Sequence, residues 1–343
     1  MREIIVGKNE EGMKLKKVCF QFFKGIPDSF TYKMLRKKNI LLNEKKATGD
    51  EILEIGDKVQ IYISEESLKN LTEEASKPEE ELPKISDYAW LPDRILYETE
   101  DWLILDKPSG VLSQKGKPKD PSMNDAVIAY LLDRGVVTTE SLAIFRPSVC
   151  NRLDRNTSGI ISASKTRKGA RELTELYRDK DGRSTGKYYL TVVHGKCTLK
   201  GHFDRLLYVK SRSTNQAYVW MKGGKRPEET VNFGKPEMIW TELFPLGYNK
   251  EKDVSLMLCR LHTGRSHQIR VTMQHYGFHV VGDPKYGNPV RDHFLDPARQ
   301  GQLLVAFQMK LPDGKVVQAR VPEEILQYFP GAERLAVEKI NNK

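Results

Sequence analysis

Cysteine is scarce in this sequence. Cys19, Cys150, Cys197 and Cys259 are the only four, and no two of them form a C-x-x-C pair. That argues against a disulfide framework and fits reduced thiols that serve as packing residues. No apolar run is long enough to span a bilayer, and the opening MREIIVGKNEEG has no apolar core of the signal-peptide kind. The expectation is a cytoplasmic protein without a membrane partner. Nucleotide and metal motifs are missing too. The Gly-Lys pairs of IVGKNEEG and GKPKDPS do not fit GxxxxGK[ST], and there is no HExxH. His262, His267, His275 and His279 lie close in sequence, but no thiol or carboxylate cluster joins them. They read as helix-surface or turn hydrogen-bonding residues, not as metal ligands. No internal repeat is present.

Positive charge, by contrast, is abundant. Lys and Arg number 56 against 46 Asp and Glu, a formal net charge of +10. A polyanionic partner suits that balance through attraction and counterion release, although charge alone does not identify one. With 343 residues, 39% of them hydrophobic, the chain is long enough for two domains and a sizeable core. Residues 1–63 form a short basic unit. Residues 64–90 are expected to be an acidic linker, since 65–87 hold eight Asp/Glu against three Lys together with Pro78 and Pro83. The main domain should run over 91–335.

Periodicity within that domain is mixed. WLILDK, GIISAS, KYYLTVV and VSLMLCRL read as strands. SMNDAVIAYLLDRG, with Ser122 as N-cap, reads as a helix, as do RKGARELTELYRD and RSHQIRVTMQHYG. QLLVAFQMKLPDGKVVQARVP reads as a hairpin turning at Asp313-Gly314. Strands outnumber helices without regular alternation, which predicts an α+β fold on a mainly antiparallel sheet. The basic segment YVKSRSTNQAYVWMKGGKRPEET is equally readable as an RNA-lining groove or as a surface hairpin.

Chemistry is suggested first by NRLDRNTSG, residues 151–159. Asp154 stands between Arg152 and Arg155, and neighbouring guanidiniums favour a carboxylate. Such a group in a shielded pocket can act as nucleophile or base, while a surface ion-pair cluster explains the tetrad equally well. Arg265 and Arg270 offer further cations near a helix start. Tyr188 and Tyr189 are neighbours on one strand, so their rings face opposite sides. A tyrosine ring can stack on a base and still use its hydroxyl. In the first unit, Lys33, Arg36, Lys37 and Lys38 crowd one helix end, and Lys45 and Lys46 sit in the following turn. Cations there suit a phosphate backbone and are also ordinary at a helix C-terminus.

Five segments, DKPSGVLSQKG, NRLDRNTSG, KYYLTVVHG, LHTGRSHQIRV and VVGDPKYG, together resemble the RluA-type pseudouridine synthases of the large ribosomal subunit, in family order across residues 91–330. Residues 12–63, most clearly KATGDEILEIGDKVQI, resemble the small S4-type RNA-binding domain. The resemblance implies isomerisation of a flipped-out uridine to pseudouridine in RNA without any cofactor. It makes Asp154 the essential aspartate, by attack on the sugar or by removal of its C2′ proton. Tyr189 becomes the active-site tyrosine, and Arg270, or as second choice Arg265, the partner of Asp154. RNA contacts are expected from Arg152, which can fill the place of the flipped base, and from Arg155 and Lys107 beside the six cations of the first unit. Asn151 stands where the family usually has His. The expected partner is ribosomal RNA and the expected state a monomer; transfer RNA, or a non-catalytic role in ribosome assembly, are the alternatives.

Overall fold

The computed structural model describes residues 1–23, 26–64, 66, 81–117, 120–178, 186–296, 301–311 and 313–342. The first unit pairs strand Arg2–Ile5 with Lys58–Ile61, then Ile40–Leu42, then Lys45–Lys46, all antiparallel. Asn43 and Glu44 both take positive φ, so the strands join through the tight turn expected of NEKK. Helices Leu15–Phe22 and Asp28–Arg36 cover this sheet through Leu15, Val18, Met34 and Leu35.

The unit does not stand apart from the rest of the chain. Ile144 of the main domain joins its core. Arg167 donates from its backbone N–H to Asn9 Oδ1 and from its guanidinium to Gln21 Oε1 and the Ile144 carbonyl. Of the expected linker, residues 65 and 67–80 lie outside the described residues. Its end departs from a solvated segment: Leu82, Ile85 and Tyr88 pack on the core around helix Met123–Asp133. A net-acidic composition hid an apolar spacing that a helix face could bury.

Among the described residues the main domain carries an eleven-stranded sheet. Its central order is Gly201–Lys210, Glu237–Asn249, Val254–Leu261, Tyr188–His194, Leu304–Lys310, Ser158–Ser164, Trp102–Lys107. Leu304–Lys310 and Ser158–Ser164 run parallel, and the other described pairings are antiparallel. Gly159 is required at that parallel crossing: with φ of 101°, a Cβ would sit 2.2 Å from the Ala306 carbonyl oxygen. Ser122 caps its helix by accepting from Asp125 N–H, as the sequence indicates. The C-terminal hairpin turns at Gly314, at φ of 84°. Residues 208–221 of the basic segment belong to the hairpin of strands Gly201–Lys210 and Ala217–Met221, which buries Tyr208, Ala217 and Val219. Among the described residues no helix is long and apolar enough to cross a membrane.

Candidate active site

Asp154 lies on the loop between strands Ser148–Val149 and Ser158–Ser164. Its carbonyl accepts from Thr157 N–H at 3.0 Å, closing the turn read from Thr-Ser-Gly. Leu153 is buried and exchanges hydrogen bonds with Ser113, its N–H donating at 3.0 Å and its carbonyl accepting at 2.9 Å. The inward Leu153 pins the loop, so Arg152 faces solvent and Asp154 turns toward Arg270 with its side chain 22% exposed.

Asn151 holds the same loop from the other side. Its Oδ1 accepts from the backbone N–H of Ser162 at 2.7 Å and from the Ser162 hydroxyl at 3.1 Å. The side chain at this position ties the loop to its strand, a task that an amide performs without titrating.

The partner of Asp154 is Arg270, whose Nη1 donates to Oδ2 at 2.6 Å. Arg265 is turned elsewhere and pairs with Glu237. The reason is where the helix begins: it spans Gln268–His275, after His267 in a left-handed conformation at φ of 59°, which leaves Arg265 in the preceding turn. Arg270 is aimed by Asp283, whose Oδ2 and Oδ1 take Nε and Nη2 at 2.7 Å each. That fork leaves Nη1 for Asp154. Asp283 is set in turn by the backbone N–H groups of Lys285 and Tyr286, at 2.9 and 3.0 Å. Burial works against its charge, but the Arg270 guanidinium and those N–H groups outweigh it and hold the carboxyl below the usual range. For Arg270, burial is likewise overcome by the two carboxylates, and its pKa rises.

Tyr189 stands on Tyr188–His194. Burial, and then the field of Asp154, raise its phenol above the ordinary range, so it stays protonated at neutral pH. Tyr188, on the opposite face as expected from strand alternation, lies under the Arg260 guanidinium at 5.7 Å.

The sequence reading gave His267 only a helix-surface or turn hydrogen bond and gave Tyr286 no role. His267 places Nε2 3.7 Å from Asp154 Oδ1 and Nδ1 2.8 Å from the Tyr286 hydroxyl. Tyr286 also lies beneath the Arg270 guanidinium at 5.1 Å. Asp283 and Tyr286 were visible as letters of VVGDPKYG, but their link to Arg270 is a tertiary contact with no sequence periodicity. The other histidines are dispersed: His262 faces Glu242 and His279 faces the Tyr286 carbonyl. Among the described residues no group of three or more His, Cys, Asp or Glu could hold a metal ion.

Lys107 departs from its expected place at an RNA surface. It is fully buried and donates to the carbonyls of Pro108, Val111 and Arg155 at 2.9, 2.7 and 2.8 Å. Burial pushes its ammonium down to about 7 against the fields of Asp154 and Asp106. Three N–H donors meeting three carbonyls nevertheless describe the protonated form. Its work is to tie the Lys-Pro-Ser-Gly loop to the backbone beside Asp154. Arg152 and Arg155 are exposed, the latter 3.6 Å from Asp120. Lys33, Arg36, Lys37, Lys38, Lys45 and Lys46 are all exposed, and none has a carboxylate within ion-pair distance among the described residues.

A carboxylate held by a buried arginine beside a protonated phenol can attack or deprotonate a sugar while a base lies against the tyrosine. Comparison with known proteins gives this arrangement its class. Residues 101–275 match the family model described as RNA pseudouridylate synthase. The chain is 30% identical over 304 residues, 87% of this chain and 83% of the relative, to ribosomal large subunit pseudouridine synthase C of Escherichia coli O6:H1. It is 27% identical to the protein of that name from Haemophilus ducreyi, over 88% of this chain and 84% of the relative. The fold is similar to human RNA pseudouridylate synthase domain containing 4, with TM-score 0.52 and 17% identity over 74% of this chain and 96% of that one. The chain therefore belongs to the RNA pseudouridylate synthase family. It is an enzyme that isomerises uridine to pseudouridine in RNA, on a large, mainly antiparallel mixed sheet with flanking helices.

Proposed function

We propose that Asp154 is the essential carboxylate of this isomerisation, that Tyr189 stacks on the flipped base, and that large-subunit ribosomal RNA is the substrate. The observation that carries the site assignment is the unbroken chain Asp283–Arg270–Asp154, with Tyr189 close enough for the carboxylate's field to act on its phenol. The reaction breaks the N1–C1′ bond, turns the base and forms C5–C1′, and the hydrogen of C5 leaves as a proton. Arg270 fixes the carboxylate where the extruded sugar arrives, which matters because reacting atoms must meet at contact distance. Arg152, exposed on the loop next to Asp154, is placed to enter the gap in the duplex, and Arg155 to meet a phosphate.

The first unit, over residues 1–63, is assigned as an S4-type RNA-binding domain. Six exposed cations without described carboxylate partners support it. Unneutralised side chains of this kind displace counterions from a phosphate backbone. A single copy holds Asp154, Tyr189, Arg270 and Asp283, which supports a monomer as the acting state. Its free cysteines suit a reducing compartment, the cytoplasm. Large-subunit ribosomal RNA is favoured over transfer RNA because the relatives at 27–30% identity carry the large-subunit name. Mapping pseudouridine in RNA from cells with and without the gene tests this. One or more large-subunit positions should lose the modification; loss confined to transfer RNA would overturn the substrate assignment.

A further inference from the structure

Arg270 holds one oxygen of Asp154. A carboxylate held at one oxygen can still turn about its Cβ–Cγ bond. The atom facing the second oxygen is His267 Nε2, at 3.7 Å, on a ring whose side chain is 8% exposed. Its protonation pattern follows from the hydrogen bonds around it. The Tyr286 hydroxyl oxygen accepts from the backbone N–H of Ala217 at 2.7 Å. Tyr286 is 1% exposed, so its own O–H must find an acceptor inside the protein. His267 Nδ1, at 2.8 Å, is that acceptor. A ring that accepts at Nδ1 carries its proton on Nε2, directed at Asp154.

We propose that His267 is a positioning residue for Asp154: Tyr286 fixes the imidazole with its proton on Nε2, and that N–H fastens Asp154 Oδ1 once RNA closes over the site. The gap of 3.7 Å is the open state of a contact that shortens in the complex. The carboxylate is then held at both oxygens and no longer turns about its Cβ–Cγ bond.

The charged groups facing the ring are Asp154, Arg270, Lys210 and Lys285, with the phenol of Tyr286 behind it. Burial first, and then the three cations, outweigh the carboxylate and push the imidazole down to about 4. The ring is therefore neutral at neutral pH, as a fixed Nε2–H donor requires.

The inference rests on Asp154 being the reacting carboxylate, and the experiment separates the two. Single-turnover tritium release from large-subunit ribosomal RNA labelled with [5-³H]uridine is measured for the wild-type chain and for His267→Ala, His267→Gln and Asp154→Asn. His267→Ala should slow the bound-state rate about 100-fold with little change in RNA affinity, the scale of a misplaced reacting group. Glutamine carries an amide N–H close to the position of Nε2, so His267→Gln should recover most of that loss. The ¹⁵N shifts of the His267 ring should report a protonated Nε2 and a bare Nδ1 at pH 7. An alanine variant as fast as wild type, a glutamine variant as slow as alanine, or a ring protonated on Nδ1 each overturns the proposal. Activity in Asp154→Asn instead removes the reading beneath it.

Discussion

Arg270 and Arg36 show two uses of one side chain. Arg270 is buried and makes three charge-assisted hydrogen bonds to two carboxylates, each shorter than 2.8 Å. Arg36 ends the helix Asp28–Arg36 in solvent and has no ion-pair partner among the described residues. The same division separates their neighbourhoods. The two buried groups that face Asp154 are each aimed by a further group, Arg270 by Asp283 and His267 by Tyr286. On the first unit Lys33, Arg36, Lys37, Lys38, Lys45 and Lys46 have no such carboxylate partner among the described residues. Chemistry requires atoms held in place, whereas attraction to a phosphate backbone requires only charge that can move to meet it. Loss of a buried group should therefore be felt in folding and rate, and loss of an exposed one in affinity and salt dependence.

Four outcomes would sharpen or break that contrast. The largest is expected from Asp283→Ala, which strips Arg270 of its fork and leaves a buried guanidinium half paired. It should destabilise the protein by about 3–5 kcal/mol in denaturant unfolding. Stability equal to wild type would mean that the cluster is not the tightly coupled unit described. Lys107→Met comes next. Three carbonyls lose their donor at once, at a cost of about 1–3 kcal/mol for each one that finds no other donor. Turnover should fall with it, because Arg155, one of the three, follows Asp154 in the loop. A stable variant with reduced RNA affinity and normal turnover would return Lys107 to an RNA-contact role.

Replacing Lys33, Arg36, Lys37 and Lys38 by Ala should leave turnover at saturating RNA unchanged. It should weaken binding and flatten the plot of log affinity against log salt by about 1 for each phosphate that is no longer neutralised. An unaltered salt slope would remove the first unit from the binding surface.

The smallest effect concerns pH. The folded-state pKa of His267 lies at about 4, below the ordinary 6.5. Between those values the unfolded chain binds a proton that the folded chain refuses. Stability is therefore full above about 6.5 and falls as the pH drops toward 4. His267→Gln should reduce that slope in acid denaturation; an identical slope would show that His267 is not the group responsible.

The sequence carried the parts of the molecule that local rules govern. Strands such as Trp102–Lys107 and Val254–Leu261 are long apolar runs, Ser122 caps its helix, and Asn43 and Glu44 mark a tight turn. Asp154 stood out by its two flanking arginines. What stayed hidden depends on contacts between distant segments. Lys107 reads as one more exposed cation until three carbonyls from two loops surround it. Arg265 and Arg270 are indistinguishable in GRSHQIR, and the left-handed turn at His267 decides which one reaches Asp154. The end of the acidic stretch looks solvated because its charges are counted along the chain, whereas Leu82, Ile85 and Tyr88 find a hydrophobic face in space.

Tritium release from RNA labelled with [5-³H]uridine, compared between the wild-type chain and Asp154→Asn, tests the central claim most directly. The amide keeps the shape of the carboxylate and removes its negative charge. Release should fall by about 10⁴-fold or more, while the variant still binds RNA with wild-type salt dependence. Equal release from the two proteins would contradict the assignment of the chemistry to Asp154.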